Sequence, residues 1–352
     1  MEAVYVRLGM KSFGAENIVK MNRLAAMAVS AAAIGAALCG PVLADPASDE
    51  ADGTLNVTFE NDLFNGTDRN YTNGVSIQYT DTLNRVPDGV RYAAAPFIDT
   101  GADIRVTYQL GQNMYTPQDI ERKIPDPEDR PYAGWLYGSV GVVADTGDNL
   151  TSLQLSLGVV GPAALGEQIQ SFVHSAVETR EPRGWGSQLK NEPALLLTFE
   201  RKWTRPLIER PSGFQIDASP YVGGALGNVF THANGGVTFR LGYDLPKNDY
   251  GPPRIQPATP GSGFFEPVDD FGWYLFAGIE ARAVARNIFL DGNTFQDSPS
   301  VDKNLLVGDL TYGVVFTVGQ ARISMTQVLR SPEISSESIF SRFASLGVTY
   351  RF

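Results

Sequence analysis

A dense cluster of oxygen-bearing side chains occupies residues 60–74, between two short alternating segments. Its carboxylates, amides and hydroxyls include those of Asn61, Asp62 and Thr72. Hard cations such as Ca²⁺ prefer oxygen ligands of these kinds. The same residue types also form ordinary polar hairpin turns. This segment alone therefore predicts either a calcium site or a turn.

Residues 161–192 combine a histidine with helical spacing. Pro162 suits the first turn of a helix, and apolar residues then recur at helical intervals, at Leu165, Ile169, Val173 and Val177. Gln170, His174 and Glu178 lie four residues apart, so they share another face of that helix. A neutral imidazole can accept a proton near pH 7. His174 is therefore a candidate general base with Gln170 beside it, the alternative being a structural histidine.

The elements that must position these residues alternate with period two, which indicates one apolar and one polar face. The last of them carries Leu346, Val348, Tyr350 and Phe352 on one face. Twelve segments show the pattern: 54–61, 71–82, 102–113, 132–146, 149–160, 193–205, 213–226, 231–245, 271–286, 304–319, 321–330 and 340–352.

An even number of long alternating strands favours a transmembrane β-barrel. About 9–11 residues cross a membrane as a tilted strand, whereas strands of soluble proteins usually run to about 5–6. The fold class predicted is all-β: a twelve-stranded antiparallel transmembrane β-barrel with a short helix in an extracellular loop. A soluble β-sandwich is the alternative, because its strands alternate too.

Barrel closure predicts which connections share a side of the membrane. Both termini of an even-stranded barrel lie at the periplasmic end, so 62–70, 114–131 and 161–192 are expected outside. The outer side then holds Asp62, Thr72, His174 and the basic pair Arg122-Lys123. The pair is a candidate contact for anionic groups of a substrate. The inner connections 83–101 and 246–270 are longer than this pattern explains.

Composition and targeting features narrow the class further. The chain has 352 residues and a net charge of -11, which argues against a nucleic-acid partner. Met21-Asn22-Arg23, the apolar run 24–38 and Ala44 before Asp45 predict a secretory signal peptide. We expect Met21 to be the start, 1–44 to be removed with its single cysteine Cys39, and 45–352 to form the outer-membrane barrel domain.

Three blocks of sequence resemble the lipid A 3′-O-deacylase family of outer-membrane enzymes. The first is Glu60-Asn61-Asp62 with 68–74, and the second is Gly161-Pro162 with 170–174 and 184–189. The third is Asp129-Arg130-Pro131-Tyr132-Ala133-Gly134-Trp135. The resemblance extends from Gly53 to Phe352.

The resemblance implies a calcium-dependent esterase that removes the 3′-linked acyl chain of lipid A in the outer leaflet of a Gram-negative outer membrane. It places the site between the barrel wall and a helix of an outer loop. The residues that the resemblance implies as catalytic or metal-binding are His174, Asn61, Asp62 and Thr72, and it implies Arg122 as substrate-binding. We add Gln170 as catalytic, because it lies one turn before His174, and Lys123 as substrate-binding, because it is paired with Arg122. Lipopolysaccharide is the expected partner, and we expect a monomer.

One position departs from the family pattern. The family's acidic partner lies six residues after the histidine, where this chain has Arg180. Glu181 is the preferred replacement and Glu178 the other, so the expected metal ligands are Asp62 with Glu181 or Glu178. A barrel phospholipase would show a His-x-Ser pairing, which neither His174-Ser175-Ala176 nor His232-Ala233-Asn234 provides. The remaining alternative is a passive barrel, either a pore or a structural protein, with a degenerate site.

Overall fold

The computed structural model describes residues 53–62, 70–81, 86–210, 213–243, 245, 251–255, 263–265 and 271–352. The predicted signal peptide, 1–44, and most of the first polar loop, 63–69, lie outside the described residues. The described part is a single antiparallel sheet that closes on itself.

The described residues contain thirteen strands. They are β1 Gly53–Asn61, β2 Asn70–Asp81, β3 Asp103–Thr116, β4 Ala133–Asp145, β5 Asn149–Val160, β6 Glu192–Trp203, β7 Arg205–Glu209, β8 Phe214–Gly227, β9 Phe230–Tyr243, β10 Phe271–Asn287, β11 Leu306–Val318, β12 Ala321–Arg330 and β13 Ser341–Arg351. The helices are α1 Asp88–Ala94, α2 Gly166–Val177 and α3 Ile288–Asp291.

Strands β6 and β7 together occupy one strand position in the barrel wall, here called a stave, because both pair with β8. The interruption falls at Thr204, and Pro206, which has no N–H to donate, is followed by a shift in register. The barrel is closed by β1 pairing with both β2 and β13 and by β6 pairing with β8. Twelve staves result, which confirms the predicted fold class.

The two ends of the barrel differ as the sequence predicts. Gly53 and Phe352 exchange two backbone hydrogen bonds at one end, beside the tight turns at 146–148 and 319–320. Short turns and both termini mark the periplasmic end of such barrels. The connection that contains α2 leaves the opposite end and is therefore extracellular, as predicted.

Side chains alternate between a lipid-facing apolar surface and a polar lumen. Leu110, Leu155 and Ile279 are about half exposed on the outer wall. Their chain neighbours point inward and are buried, among them Gln154, Ser156 and Glu280. An apolar exterior around a polar interior is the arrangement of a membrane barrel.

Aromatic side chains fill the extracellular end of the lumen. Helix α3 folds inward and stacks Phe289 on Tyr115, with ring centroids 3.8 Å apart. Trp135 stacks on Tyr137 at 4.1 Å and approaches Phe230 at 6.1 Å. All five side chains are buried.

A network of buried ion pairs fills the middle of the lumen. Asp309 accepts hydrogen bonds from Arg330 at 2.9 Å and from Arg282 at 2.8 Å. Glu280 accepts from Arg282 and from Arg254, each at 3.2 Å. Buried charges are tolerated only when they are paired in this way.

The two long inner connections have separate roles. Residues 251–255 and 263–265 of the second connection lie in the lumen, where the Ile255 N–H donates to Glu60 at 2.9 Å and the Arg105 guanidinium covers the Phe264 ring at 4.1 Å. Residues 86–101 of the first connection instead lie on the outside of the wall and include α1. No helix among the described residues has the length and apolar character needed to span a membrane.

Candidate functional site

Helix α2 lies outside the barrel wall at the extracellular rim and buries a polar face. Gly166, Gln170 and His174, here called the buried stripe, are spaced four residues apart and are all buried. Of the predicted apolar residues, Leu165 is 48% exposed and Ile169 half-buried. Phe172 of the same helix is 69% exposed. The polar stripe is therefore covered, while apolar side chains face the surrounding leaflet.

A close backbone contact allows this helix to lie against the wall. A Cβ at Gly134 of β4 would stand 3.1 Å from the Cβ of Ala164 and 3.3 Å from the backbone N of Gly166. The Gln112 side-chain amide, which points outward from β3, donates to the Ala164 carbonyl at 2.7 Å. A larger residue at Gly134 would push α2 away from the wall.

His174 is held by the backbone that follows the helix. The helix ends at Val177, and the next residue, Glu178, turns the chain back with a φ of 55°. The Thr179 N–H donates to the His174 carbonyl at 3.0 Å. This turn brings the Arg180 carbonyl into hydrogen-bond contact with His174 Nδ1. Because a carbonyl only accepts, Nδ1 carries the proton in this contact, which leaves Nε2 as the basic atom.

Gln170 is fixed by a tryptophan from the same loop. The Trp185 Nε1–H donates to Gln170 Oε1 at 2.7 Å. Trp185 is buried and packs against Tyr132 with ring centroids 4.9 Å apart, in a cluster that includes Met114 of β3. Gln170 thus has a defined orientation one turn before His174.

Asn61, Asp62 and Thr72 converge at the rim of β1 and β2. The Asp62 N–H donates to the Thr72 carbonyl at 3.3 Å, and both side chains are buried. Thr72 is the additional residue of a β-bulge, since Tyr71 pairs with Tyr115 and Asn73 with Met114. Bulges redirect side chains near functional sites, and here the Thr72 hydroxyl meets that of Thr116 at 2.6 Å.

One lateral row of the wall links these residues to the helix. Asn61 pairs with Asn73 of β2, Asn73 with Met114 of β3, and Met114 with Gly134 of β4. Neighbouring strands lie about 4.8 Å apart, so Asn61, three strands away from Gly134, is roughly 14 Å from the strand that α2 contacts. This row places Asn61 and Asp62 at the same rim as the buried stripe.

The donor atoms at the β1–β2 rim fit a hard cation. They are oxygens of a carboxylate, amides and hydroxyls, which suit Ca²⁺ better than a thiophilic metal. Asn73 Oδ1 is buried without a hydrogen-bond partner in the described part of the chain. The described residues hold no group of three His, Cys, Asp or Glu side chains arranged for a metal. Glu178 and Glu181 are exposed.

The basic pair lies at the edge of the same region. Arg122 and Lys123 are exposed, and a Cβ at Gly184 would stand 3.1 Å from the Arg122 carbonyl. Arg122 forms an ion pair with Asp126 at 3.1 Å on a surface cleft of about 270 Å³. A backbone hydrogen bond from Glu128 and the Arg122 guanidinium both lower the pKa of Asp126, so the acid stays charged beside Arg122.

The sequence predicted neither the role of the 129–135 block nor that of Trp185. Tyr132 of this block packs under Trp185 and donates to the Ile120 carbonyl at 3.0 Å. Arg130 reaches Glu333 at 3.1 Å. Residues of this one block thus make contacts on opposite sides of the wall. The sequence signal for this packing was Gly134 between the bulky aromatic residues Tyr132 and Trp135. The contact made by the Arg180 carbonyl has no sequence signal, because every residue has a backbone carbonyl.

Comparisons with known proteins identify relatives of this chain. A family model described as "Outer membrane protein LpxR" matches residues 26–352. The solved structure of LpxR from Salmonella typhimurium is similar at 20% identity and a TM-score of 0.70, covering 85% of this chain and 100% of that one. The β domain of the Bordetella autotransporter BrkA reaches 12% identity and a TM-score of 0.42, covering 86% and 99%. No curated protein matches.

Proposed function

This chain belongs to the outer membrane protein LpxR family, and from that premise we propose that it is a lipid A deacylase. It is a protein of the outer membrane. The reaction proposed is hydrolysis of the ester that links the 3′ acyl chain to lipid A, in the outer leaflet. The observation that carries the proposal is the buried stripe, which places Gln170 and His174 against the outside of the barrel wall.

The stripe supports hydrolysis because burying polar groups is costly unless they are hydrogen-bonded. On a lipid-facing wall, packing alone would favour apolar residues. Here Trp185 and the Arg180 carbonyl hold Gln170 and His174 in defined orientations. A catalytic base needs such positioning, and a merely structural helix does not.

In the proposed mechanism, His174 Nε2 removes a proton from the attacking water. The Arg180 carbonyl takes the place of the missing acid: it accepts from Nδ1–H and fixes the tautomer, as a backbone carbonyl does for many histidines. Gln170 helps to orient the water. The histidinium formed then donates the proton to the departing sugar oxygen.

We propose that Asp62, with Asn61, Thr72 and Asn73 beside it, holds calcium at the β1–β2 rim. When bound, calcium supplies positive charge next to the ester carbonyl. Glu181, or else Glu178, is proposed as the further carboxylate ligand, and both side chains are exposed.

Substrate contacts are proposed on both sides of His174. Arg122 and Lys123 lie where phosphate groups of lipid A would stand, and Leu165 and Phe172 face the acyl chains of the leaflet. A monomer remains the predicted state.

A pore is the weaker alternative, because aromatic residues, ion pairs and the second inner connection occupy the lumen at successive levels. Mass spectrometry of lipid A from cells that express the parent protein tests the proposal. We expect loss of the 3′-linked acyl chain with its secondary chain. Unchanged lipid A would overturn the proposal, and loss of another chain would correct the position cleaved.

A further inference from the structure

Residues 86–101, here called the inner-end segment, lie on the outside of the barrel wall near the periplasmic end. Val86 and Ala94 pack against Val106 and Val142. These two strand residues point outward, because Val140, two residues before Val142, is 45% exposed on the lipid-facing side. The segment therefore covers part of the wall that would otherwise contact lipid.

Polar contacts fix the far end of the segment to β5 and β6. Asp99 accepts hydrogen bonds from Arg201 at 3.0 Å and from Asn149 at 3.2 Å. Phe97 approaches the outward-facing Phe199 with ring centroids 6.3 Å apart. The inner-end segment thus runs across the wall from β3 to β6.

The free side of the segment carries two large aromatic side chains beside charged ones. Tyr92 is 85% exposed and Phe97 is 46% exposed, and Asp88 and Arg91 are exposed with them. Aromatic side chains left uncovered on a short helix at this depth are typical of elements that lie in a membrane interface.

The rest of the wall shows what these two aromatics add. A row of aromatic residues runs along the periplasmic end, where Tyr108, Tyr79, Phe352 and Tyr350 succeed one another at 6.3–6.5 Å. Phe214, Tyr243 and Trp273 continue it at 5.6 and 6.1 Å. Such girdles mark the membrane boundary of barrels.

The girdle is interrupted on three adjacent strands. Following the row laterally from Tyr79 and Tyr108, the paired residues on β4, β5 and β6 are Val140, Leu155 and Leu197. None of them is aromatic. The inner-end segment covers these strands just below that row.

We propose that the inner-end segment is an interfacial anchor that docks into the head-group region of the phospholipid leaflet. Tyr92 and Phe97 add aromatic side chains next to the row positions where β4, β5 and β6 carry Val140, Leu155 and Leu197, and Phe97 lies beside the outward-facing Phe199 of β6. The occupant is phospholipid because the segment is continuous with the lipid-facing wall and with the girdle on both sides. The inference does not depend on the proposed deacylase activity.

Depth-dependent quenching tests this proposal in the full-length protein. The Tyr92→Trp variant is reconstituted into phosphatidylcholine vesicles whose acyl chains carry bromine near the head group or near the methyl end. Its emission is compared with that of the parent protein, which has four tryptophans. Interfacial helices lie roughly 5–10 Å deep, so shallow bromine should quench about half of the added emission and deep bromine much less.

An exposed residue at the opposite end provides the matched control. Ser300 lies in the outer connection between α3 and β11 and is exposed, so the added emission of Ser300→Trp should respond to aqueous acrylamide and not to bromine. If Tyr92→Trp behaves like this control, the segment faces water and the proposal fails. Protection from both quenchers would indicate a protein contact and would also overturn it.

Discussion

Two segments lie on the outside of the same barrel wall, one at each end, and they bury opposite kinds of side chain. At the periplasmic end, the inner-end segment packs Val86 and Ala94 onto valines of β3 and β4. At the extracellular end, α2 covers the same two strands with Gly166, Gln170 and His174. The inner-end segment buries apolar side chains, as amphipathic elements usually do, whereas α2 buries polar side chains.

The difference separates a contact made for stability from one made for chemistry. Apolar burial is favourable by about 25 cal/mol per Å² and requires no partner. Polar burial loses free energy unless each group finds a hydrogen bond. The contacts made by Trp185 and the Arg180 carbonyl compensate for burying Gln170 and His174. A helix that buries its polar face against a membrane barrel and exposes its apolar face therefore indicates a functional role. The order of residues in its sequence does not show which face is buried.

The largest expected effect comes from His174→Gln. Glutamine keeps a polar side chain but cannot accept the proton, so deacylation should fall by at least about 100-fold. The barrel should still migrate as a heat-modifiable band in gels. His232→Gln is the control, because His232 is buried on the lumen side. Equal losses of activity in both variants would show that His174 has no special role in catalysis.

Removal of calcium should lower the deacylation rate about as much as His174→Gln, because the proposed ligands lie at the extracellular end of the barrel. Excess chelator should lower the deacylation rate by at least about 100-fold, the scale of losing electrostatic stabilisation of an oxyanion, and added Ca²⁺ should restore it. Thermal unfolding of the barrel should change little, since the inner-end segment and the lumen contain no predicted ligands. Full activity in chelator would exclude calcium from the mechanism.

Trp185→Phe should have an intermediate effect. The change keeps the ring but leaves Gln170 Oε1 without its donor, which costs about 1–3 kcal/mol and should lower the turnover number about tenfold. Trp203→Phe, at the periplasmic end of β6, is the matched control and should retain parental turnover. Loss of stability without loss of turnover in Trp185→Phe would assign Trp185 to packing alone.

Charge reversal at Arg122 should lower turnover of lipopolysaccharide several-fold and leave a neutral ester nearly unaffected, because exposed charges act weakly and over short range. Asp126→Asn is the opposite test, since it releases Arg122 from its 3.1 Å ion pair and should increase turnover of the anionic substrate. Added salt should reduce both effects. Equal losses on charged and neutral substrates would make Arg122 structural.

The smallest effect is expected at the inner end, from Asp99→Asn. Its ion pair with Arg201 is partly exposed, and such pairs contribute about 0–1 kcal/mol. The apparent melting temperature in detergent should fall slightly while deacylation is unchanged. A clear loss of activity would mean that the two ends are coupled, and the contrast between them would no longer hold.

The regular parts of the fold could be predicted because each depends on a local period. Alternation located all twelve staves, and the helical spacing of apolar residues from Leu165 to Val177 located α2. Strand β3 nevertheless extends to Thr116 rather than 113. Apolar and polar residues do not alternate clearly at its end, because Met114 is covered by Trp185 and by Ile169 of α2.

The irregular parts could not be predicted, because long-range contacts determine them. The bulge at Thr72 depends on pairing with β3. The entry of 251–255 into the lumen depends on Glu60 and Glu280. The Arg180 carbonyl is positioned by Glu178, a residue with left-handed backbone conformation just after α2. The sequence pattern pointed to an acidic side chain as the partner of His174, and it carries no information about a backbone carbonyl.

The position of α2 on the outer wall has a kinetic consequence. A site in a lumen or a soluble cleft receives substrate by diffusion in three dimensions, whereas a site on this wall receives lipid by sliding within one leaflet. The relevant substrate level is then a surface density, which does not change when cells are diluted. The rate at which the proposed enzyme encounters substrate should therefore vary with the packing and fluidity of the neighbouring lipids.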